Sequence, residues 1–130
     1  PVYHYNWYGR ERYEVAADKP LPSGKVALKL VFDYDGGTST IGKGGLARIL
    51  VNGEETAQGH IEKTVDFVFS ISGEGLDVGQ DTGSQVGPYE RGFPFTGKID
   101  RVEVDFRSTL DAAALAALQK GRAEVIARAE

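Results

Sequence analysis

The chain has 130 residues, and its 15 Lys and Arg against 19 Asp and Glu give a net charge of −4 at pH 7. This length is typical of one domain with a single hydrophobic core, and the acidic balance argues against a nucleic acid or an anionic membrane as partner. The sequence contains no cysteine, which excludes disulfides, thiolate metal sites and cysteine nucleophiles. No apolar run approaches the roughly 20 residues of a membrane-spanning helix, so we expect one soluble domain over residues 1–130.

Alternating apolar and polar residues predict strands in the first half of the chain. Residues 2–8 alternate and predict an N-terminal strand. A second strand is predicted over residues 25–34, where one face carries Val26, Leu28, Leu30, Phe32 and Tyr34. Residues 46–51 and 54–60 flank Asn52-Gly53, a dipeptide that favours a type I′ turn, and therefore predict a β-hairpin.

The second half predicts further strands and then one helix. Residues 64–71 alternate, residues 76–78 form a shorter piece, and residues 95–106 predict a last strand with a bulge near Asp100-Arg101. No helical period separates these strands, so we expect an antiparallel sandwich. After Ser108 or Thr109, which can cap a helix, an apolar stripe at helical spacing predicts a C-terminal helix: Leu110, Ala114, Leu115 and Leu118.

The N-terminal strand begins at once, with no capping turn and no methionine before Pro1. This predicts that the chain is part of a longer protein, although removal of an initiator methionine before proline would give the same start. A strand that has lost its neighbour exposes a row of N–H and C=O groups that can accept another copy. We therefore expect a homodimer through residues 2–8.

Two motifs suggest catalysis or nucleotide binding, and each lacks an essential group. Residues 37–44 have the spacing of a phosphate-binding loop, but Gly44 stands where a hydroxyl would hold magnesium, and a predicted strand follows. Glu103 and Asp105 match a strand of two-carboxylate glycosidases, but Ser108 occupies the position of the acid. We expect no nucleotide site, and we expect Glu103 and Asp105 to lie on a solvated strand face.

Metal binding has only weak candidates. Asp77 and Asp81 flank a loop and could supply oxygen ligands to calcium, although aspartates also form such turns by themselves. His4 and His60 are far apart in sequence and have no thiol companions. We expect each histidine to be a hydrogen-bonded strand residue and not a zinc ligand.

Two longer stretches carry a resemblance. Residues 77–84 and 93–104 resemble the closing strands of laminin-G-like, concanavalin-type sandwiches. Further short motifs follow in the same order along nearly the whole chain: Asn6-Trp7-Tyr8-Gly9, Tyr34-Asp35-Gly36-Gly37, Gly42-Lys43-Gly44-Gly45, Val51-Asn52-Gly53 and Gly75-Leu76-Asp77-Val78-Gly79. Taken together, the chain is similar to the C-terminal domain of long bacterial arylsulfatases.

The resemblance implies a mainly β fold, an antiparallel two-sheet jelly-roll sandwich with one C-terminal helix. It also implies that the chain is the C-terminal fragment of a sulfuric ester hydrolase. Such a parent needs a formylglycine and a divalent metal, and neither the modified segment nor its cysteine is present here. We therefore expect no catalytic residue, no cofactor and no enzyme activity in this chain alone. Its compartment, bacterial cytoplasm or periplasm, stays open.

The resemblance implies two alternative roles. In the first, the chain is a non-catalytic domain that packs on the catalytic domain of the parent sulfatase. In the second, it is a lectin-like module that binds carbohydrate. The same aromatic side chains would serve either role, covered by a partner in the first and exposed to sugar in the second: Trp7, Tyr8, Tyr89 and Phe93.

Overall fold

A computed structural model describes residues 1–36, 41–66, 75–90 and 92–106, and over these ranges the protein is mainly β with two antiparallel sheets. The strands are β1 (Val2–Trp7), β2 (Glu11–Ala16), β3 (Leu28–Tyr34), β4 (Lys43–Val51) and β5 (Glu54–Lys63). In the part of the chain that the structure describes, no helix is long and apolar enough to span a membrane.

The first sheet is the hairpin of β1 and β2, in which Val2 lies opposite Ala16 and Trp7 opposite Glu11. Strand β1 confirms the predicted N-terminal strand, but β2 has no counterpart among the predicted strands. Tyr8 and Gly9 both have positive φ in the connecting turn, 53° and 69°, as a type I′ turn requires. The Arg10 N–H closes this turn on the Trp7 carbonyl at 3.0 Å.

The second sheet has the order β3-β4-β5 and confirms the predicted hairpin. Asn52 and Gly53 have φ values of 53° and 89°, and Val51 lies opposite Glu54. Strand β3 begins at Leu28 and not at residue 25, whereas β4 and β5 both extend beyond their predicted bounds. The register shifts between Ile49 and Leu50, where β5 contains one extra residue.

The core lies where the first hairpin packs on the inner face of β4 and β5. The described part of the chain buries four hydrophobic side chains there, with aromatic residues packed around them: Val15, Ala47, Ile49 and Ile61, surrounded by Tyr3, Tyr5, Tyr13 and Phe32. Gly59 of β5 faces Val15, and a Cβ on it would lie 2.7 Å from the Val15 Cγ2. The absence of a side chain at Gly59 therefore sets how closely the two sheets approach.

The structure corrects the predicted strands nearer the C-terminus. Residues 64–66, 76–78 and 95–106 are not in strands, so the predicted bulge near Asp100-Arg101 has no ladder to interrupt. Alternation favours a strand only where a partner supplies hydrogen bonds, and no described strand pairs with these segments. The rest of the predicted strand 64–71 and the predicted C-terminal helix after Ser108 or Thr109 lie outside the described residues.

Exposure also differs from the prediction on one face of β3. Leu28 and Leu30 are 55% and 45% exposed, although the alternation predicts that they point into a core. The hairpin of β1 and β2 packs on β4 and β5, which leaves this edge of the inner face uncovered by any described strand. Val102, Val104 and Phe106, the predicted inward face of the last strand, are exposed as well.

Candidate functional site

A group of aromatic and charged side chains gathers where the β1–β2 turn meets the end of β5. We call it the Trp7–Lys63 cluster, and it consists of Trp7, Tyr8, Glu11, Tyr13, Lys63 and Asp66. The Lys63 ammonium lies 4.9 Å from the centre of the Trp7 ring, within the range of a cation–π contact. The same ammonium donates to the Glu11 carboxylate at 2.6 Å. Trp7 and Glu11 are opposite each other in the hairpin, so one lysine binds both strands.

Tyr8 and Asp66 extend this cluster beyond the strands. The Tyr8 ring packs edge-on to Trp7, with ring centres 5.5 Å apart. Its hydroxyl donates to Asp66 Oδ1 at 3.0 Å. Gly42 lies against Asp66, because a Cβ on Gly42 would come within 2.9 Å of the Asp66 Cβ. Segments far apart in sequence therefore meet at this end of the molecule.

Hydrogen bonds shift the pKa values of two side chains in the cluster. The bonds from Lys63 and from Tyr13 hold the pKa of Glu11 below its usual value. The same bond to Glu11, together with burial, raises the pKa of Tyr13 to about 12. The cluster thus combines the amine of Lys63, two carboxyl groups, two phenols and one indole ring. Such groups bind polar ligands by stacking and hydrogen bonding.

The structure does not assemble the four predicted aromatic residues into one platform. Trp7 and Tyr8 are in contact. The ring centre of Tyr89 lies 6.4 Å from that of His4, whose side chain is on the face of β1 opposite the core-facing Tyr3 and Tyr5. The Tyr89 hydroxyl donates to Asp81 and accepts from the Val86 N–H at 3.1 Å. Burial, and then the bond to Asp81, raises the pKa of Tyr89. Phe93 is 73% exposed.

The two calcium candidates are engaged in hydrogen bonds within their own loop. Asp77 accepts from the Thr82 hydroxyl at 2.6 Å and from the Thr82 N–H at 2.7 Å, and these bonds lower its pKa. Asp81 accepts from the Gly83 N–H and from Tyr89. Over the described ranges, no three His, Asp or Glu side chains are placed to hold a metal ion. The calcium site stays a prediction without geometric support.

The structure also describes parts of the glycine-rich motif and of the glycosidase-like motif. Strand β4 begins at Lys43, so the predicted strand already includes the last two residues of the glycine-rich segment 37–44. Residues 37–40 of that segment lie outside the described part. Glu103 pairs with Arg101, Nε to Oε1, at 2.9 Å, and both side chains are exposed. This exposure agrees with a solvated position for Glu103, although the strand predicted to carry it is not formed.

His60 forms a second group, which the sequence did not indicate. On β5, its Nε2 lies 2.7 Å from Asp35 Oδ2 and its Nδ1 lies 3.1 Å from Glu62 Oε1. Hydrogen bonds to Asp35 and then to Glu62 raise the pKa of His60. His4, in β1, lies 3.6 Å from the Glu14 carboxylate. Both histidines lie in strands, as the sequence predicts, and His60 is also hydrogen-bonded as expected. The carboxylates beside them were not predicted.

Comparison with known proteins gives no match to this chain among protein-family models, curated proteins or solved structures.

Proposed function

We propose that this chain is a non-catalytic accessory domain that packs on the catalytic domain of an arylsulfatase. The proposal includes the jelly-roll sandwich that the sequence resemblance implies, with the two described sheets as part of it. The parent enzyme supplies the sulfuric ester hydrolysis, with its formylglycine and divalent metal, and this chain supplies a surface that stabilises the catalytic domain.

One observation supports this role more than any other, and it is the apolar surface of residues 92–106. Six large apolar side chains there are exposed: Phe93, Phe95, Ile99, Val102, Val104 and Phe106. Phe106 is 90% exposed, whereas only four hydrophobic side chains are buried in the described part of the chain. Exposed large apolar side chains grouped in one segment are typical of a protein interface.

The charges of this segment fit an interface with a polar rim. Lys98 lies 3.3 Å from the Asp100 carboxylate, and Arg101 pairs with Glu103. These pairs alternate with the apolar residues along the chain. A partner surface would then bury Val102 and Val104 while the ion pairs stay in contact with solvent, the usual division between core and rim.

A binding experiment with matched variants tests the proposal. The chain is mixed with the catalytic domain encoded upstream of Pro1, and calorimetry measures their affinity. We expect Val104→Asp and Phe106→Asp to weaken binding at least tenfold, because each places a charge in an apolar contact. Lys98→Ala, in the same segment, is the control and should change affinity less than twofold. An unrelated upstream sequence, or equal affinity for all four proteins, would refute the proposal.

The alternative role, a lectin-like carbohydrate-binding module, is favoured by the Trp7–Lys63 cluster. Half-exposed aromatic rings beside a lysine and carboxylates can stack on a sugar and hydrogen-bond its hydroxyls. Trp7 is the single tryptophan of the chain, so its fluorescence reports binding at this cluster directly. A saturable change with neutral or sulfated oligosaccharides, lost in Tyr8→Ala and kept in Tyr89→Phe, would favour this role over packing.

A further inference from the structure

Strand β3 forms an edge of the second sheet, and its outer side pairs with no described strand. The Asp35 N–H donates to Gly44, and the Ala27 carbonyl accepts from Asn52, so odd-numbered residues direct their backbone groups toward β4. Backbone groups alternate in direction along a strand. Those of Leu28, Leu30 and Phe32 therefore point away from β4, toward the side on which the described residues place no strand.

The side chains of this edge form a self-complementary pattern. Lys29, Val31 and Asp33 lie on one face of the strand, and Leu30 and Phe32 lie on the other. Val31 is the midpoint between Lys29 and Asp33. A second copy of β3, placed antiparallel about a two-fold axis at Val31, brings Lys29 opposite Asp33 of that copy. The same rotation brings Leu30 opposite Phe32. Both charged pairs and both apolar pairs are then matched.

Backbone geometry favours the same register. A two-fold axis perpendicular to the sheet keeps the inner faces of both copies on the same side. Such an axis places one residue opposite its own copy and pairs the residue before it with the residue after it. With the axis at Val31, Leu30 and Phe32 exchange N–H and C=O bonds across the axis, while the two Val31 residues form a non-hydrogen-bonded pair. The outward-pointing groups of Leu30 and Phe32 are the ones that this register uses.

We propose that β3 is a self-association surface, and that its partner is β3 of a second copy of this chain in an antiparallel two-fold pairing centred on Val31. The two three-stranded sheets become one six-stranded sheet. Leu28 and Leu30 of each copy, which are exposed in the monomer, then extend one apolar inner face. Two-fold pairing closes the edge without creating a new one.

A charged side chain on an edge strand normally opposes pairing with another strand. A register is therefore favoured when each charge lies opposite a charge of the other sign. An axis at Leu30 would place Lys29 opposite Val31, and an axis at Phe32 would place Asp33 opposite Val31. Only the axis at Val31 satisfies both charges. Asp33 already contacts Arg48, whose other terminal nitrogen lies 4.0 Å from Glu55, so Asp33 would share its carboxylate between Arg48 and the incoming lysine.

A charge exchange tests the pairing on the full chain. Sedimentation of the wild type should show a dimer whose dissociation constant rises at least tenfold in Lys29→Asp, because two like-charged pairs replace two attractive ones. Lys29→Ala is the milder control, with a smaller rise. Mixing Lys29→Asp with Asp33→Lys should restore dimers, since both cross-strand pairs then regain opposite charges. A wild-type monomer at several hundred micromolar would overturn the proposal.

Cross-linking tests the register and does not depend on the Asp33 variant folding. The chain has no cysteine, so Val31→Cys introduces one thiol. A non-hydrogen-bonded pair separates its Cα atoms by about 4.5 Å, within the range for a disulfide. Val31→Cys should oxidise to a covalent dimer at least tenfold faster than Lys29→Cys, whose two thiols lie roughly 14 Å apart along the strands. Equal rates, or a dimer unaffected by Lys29→Asp, would refute this register and favour association through residues 2–8.

Discussion

Replacing Gly59 with alanine tests the packing of the two sheets directly. The new Cβ would lie 2.7 Å from the Val15 Cγ2 and 3.7 Å from the Val15 Cβ, and the first distance is far inside normal contact. Val15 is 4% exposed, so it has no solvent space into which to move. The sheets must separate or Val15 must leave its rotamer, and overpacking of this kind costs about 1–3 kcal/mol.

Chemical and thermal unfolding measure this cost. A loss of 1–3 kcal/mol corresponds to a fall in Tm of roughly 4–12 °C for a chain of this size. Val15→Ala alone should cost about 2 kcal/mol through lost burial. In the double variant the smaller side chain at position 15 makes room for the alanine at position 59. The double variant should therefore lose less stability than the sum of the two single losses, by at least about 0.5 kcal/mol.

Gly75→Ala is the matched control for this experiment. A Cβ on Gly75 would meet nothing within 4 Å, and its φ is not in the left-handed region. Its stability should stay within about 0.5 kcal/mol of the wild type. Full stability in Gly59→Ala, or strict additivity with Val15→Ala, would show that the sheets do not pack through these two residues.

Three further predictions concern a histidine, a turn and the activity of the isolated chain. The raised pKa of His60 means that its stabilising contribution is complete below about pH 6.5 and is lost as pH rises through that raised pKa. Between pH 6 and 9 the Tm of His60→Gln should therefore fall less than that of the wild type, and equal slopes would contradict the assignment. Gly53→Ala should lose about 1–2 kcal/mol in urea unfolding, because its φ of 89° is strained for alanine; no loss would argue against the turn. The isolated chain should not hydrolyse a chromogenic aryl sulfate with calcium or magnesium, and turnover that survives repurification would contradict an accessory role.

The second sheet could be predicted because its signals are local. Strands β3, β4 and β5 follow one another, and Asn52-Gly53 marks the turn between β4 and β5 in the sequence itself. Strand β2 carries a weaker signal: only Tyr13 and Val15 are apolar on its inner face, and the third residue of that face is the charged Glu11. Its turn places Tyr8, a bulky residue, at positive φ, which sequence rules do not predict.

The candidate site could be predicted only in part. Aromatic content singles out Trp7 and Tyr8, but Lys63 and Asp66 join them only after sheets distant in sequence have packed. The carboxylates beside His60 were missed for the same reason, since Asp35 reaches His60 across β4. The strand predicted over residues 95–106 was wrong for a different reason, because the sequence pattern was present and the strand was not formed. Its alternation is clear, but alternation alone does not supply a pairing partner.

The connectivity of the strands has a consequence for the order of folding. Strands β3, β4 and β5 are joined in succession, so their ladders close over short stretches of chain. The hairpin of β1 and β2 is also local, but a two-stranded hairpin is only marginally stable by itself. It must close a much longer loop before Val15 can reach Gly59, and long loops form later. We therefore expect the amide protons of β4 to be protected from exchange before those of β1 and β2 during refolding. The contact between Lys63 and Trp7 would be among the last to form, and tryptophan fluorescence would report that late step.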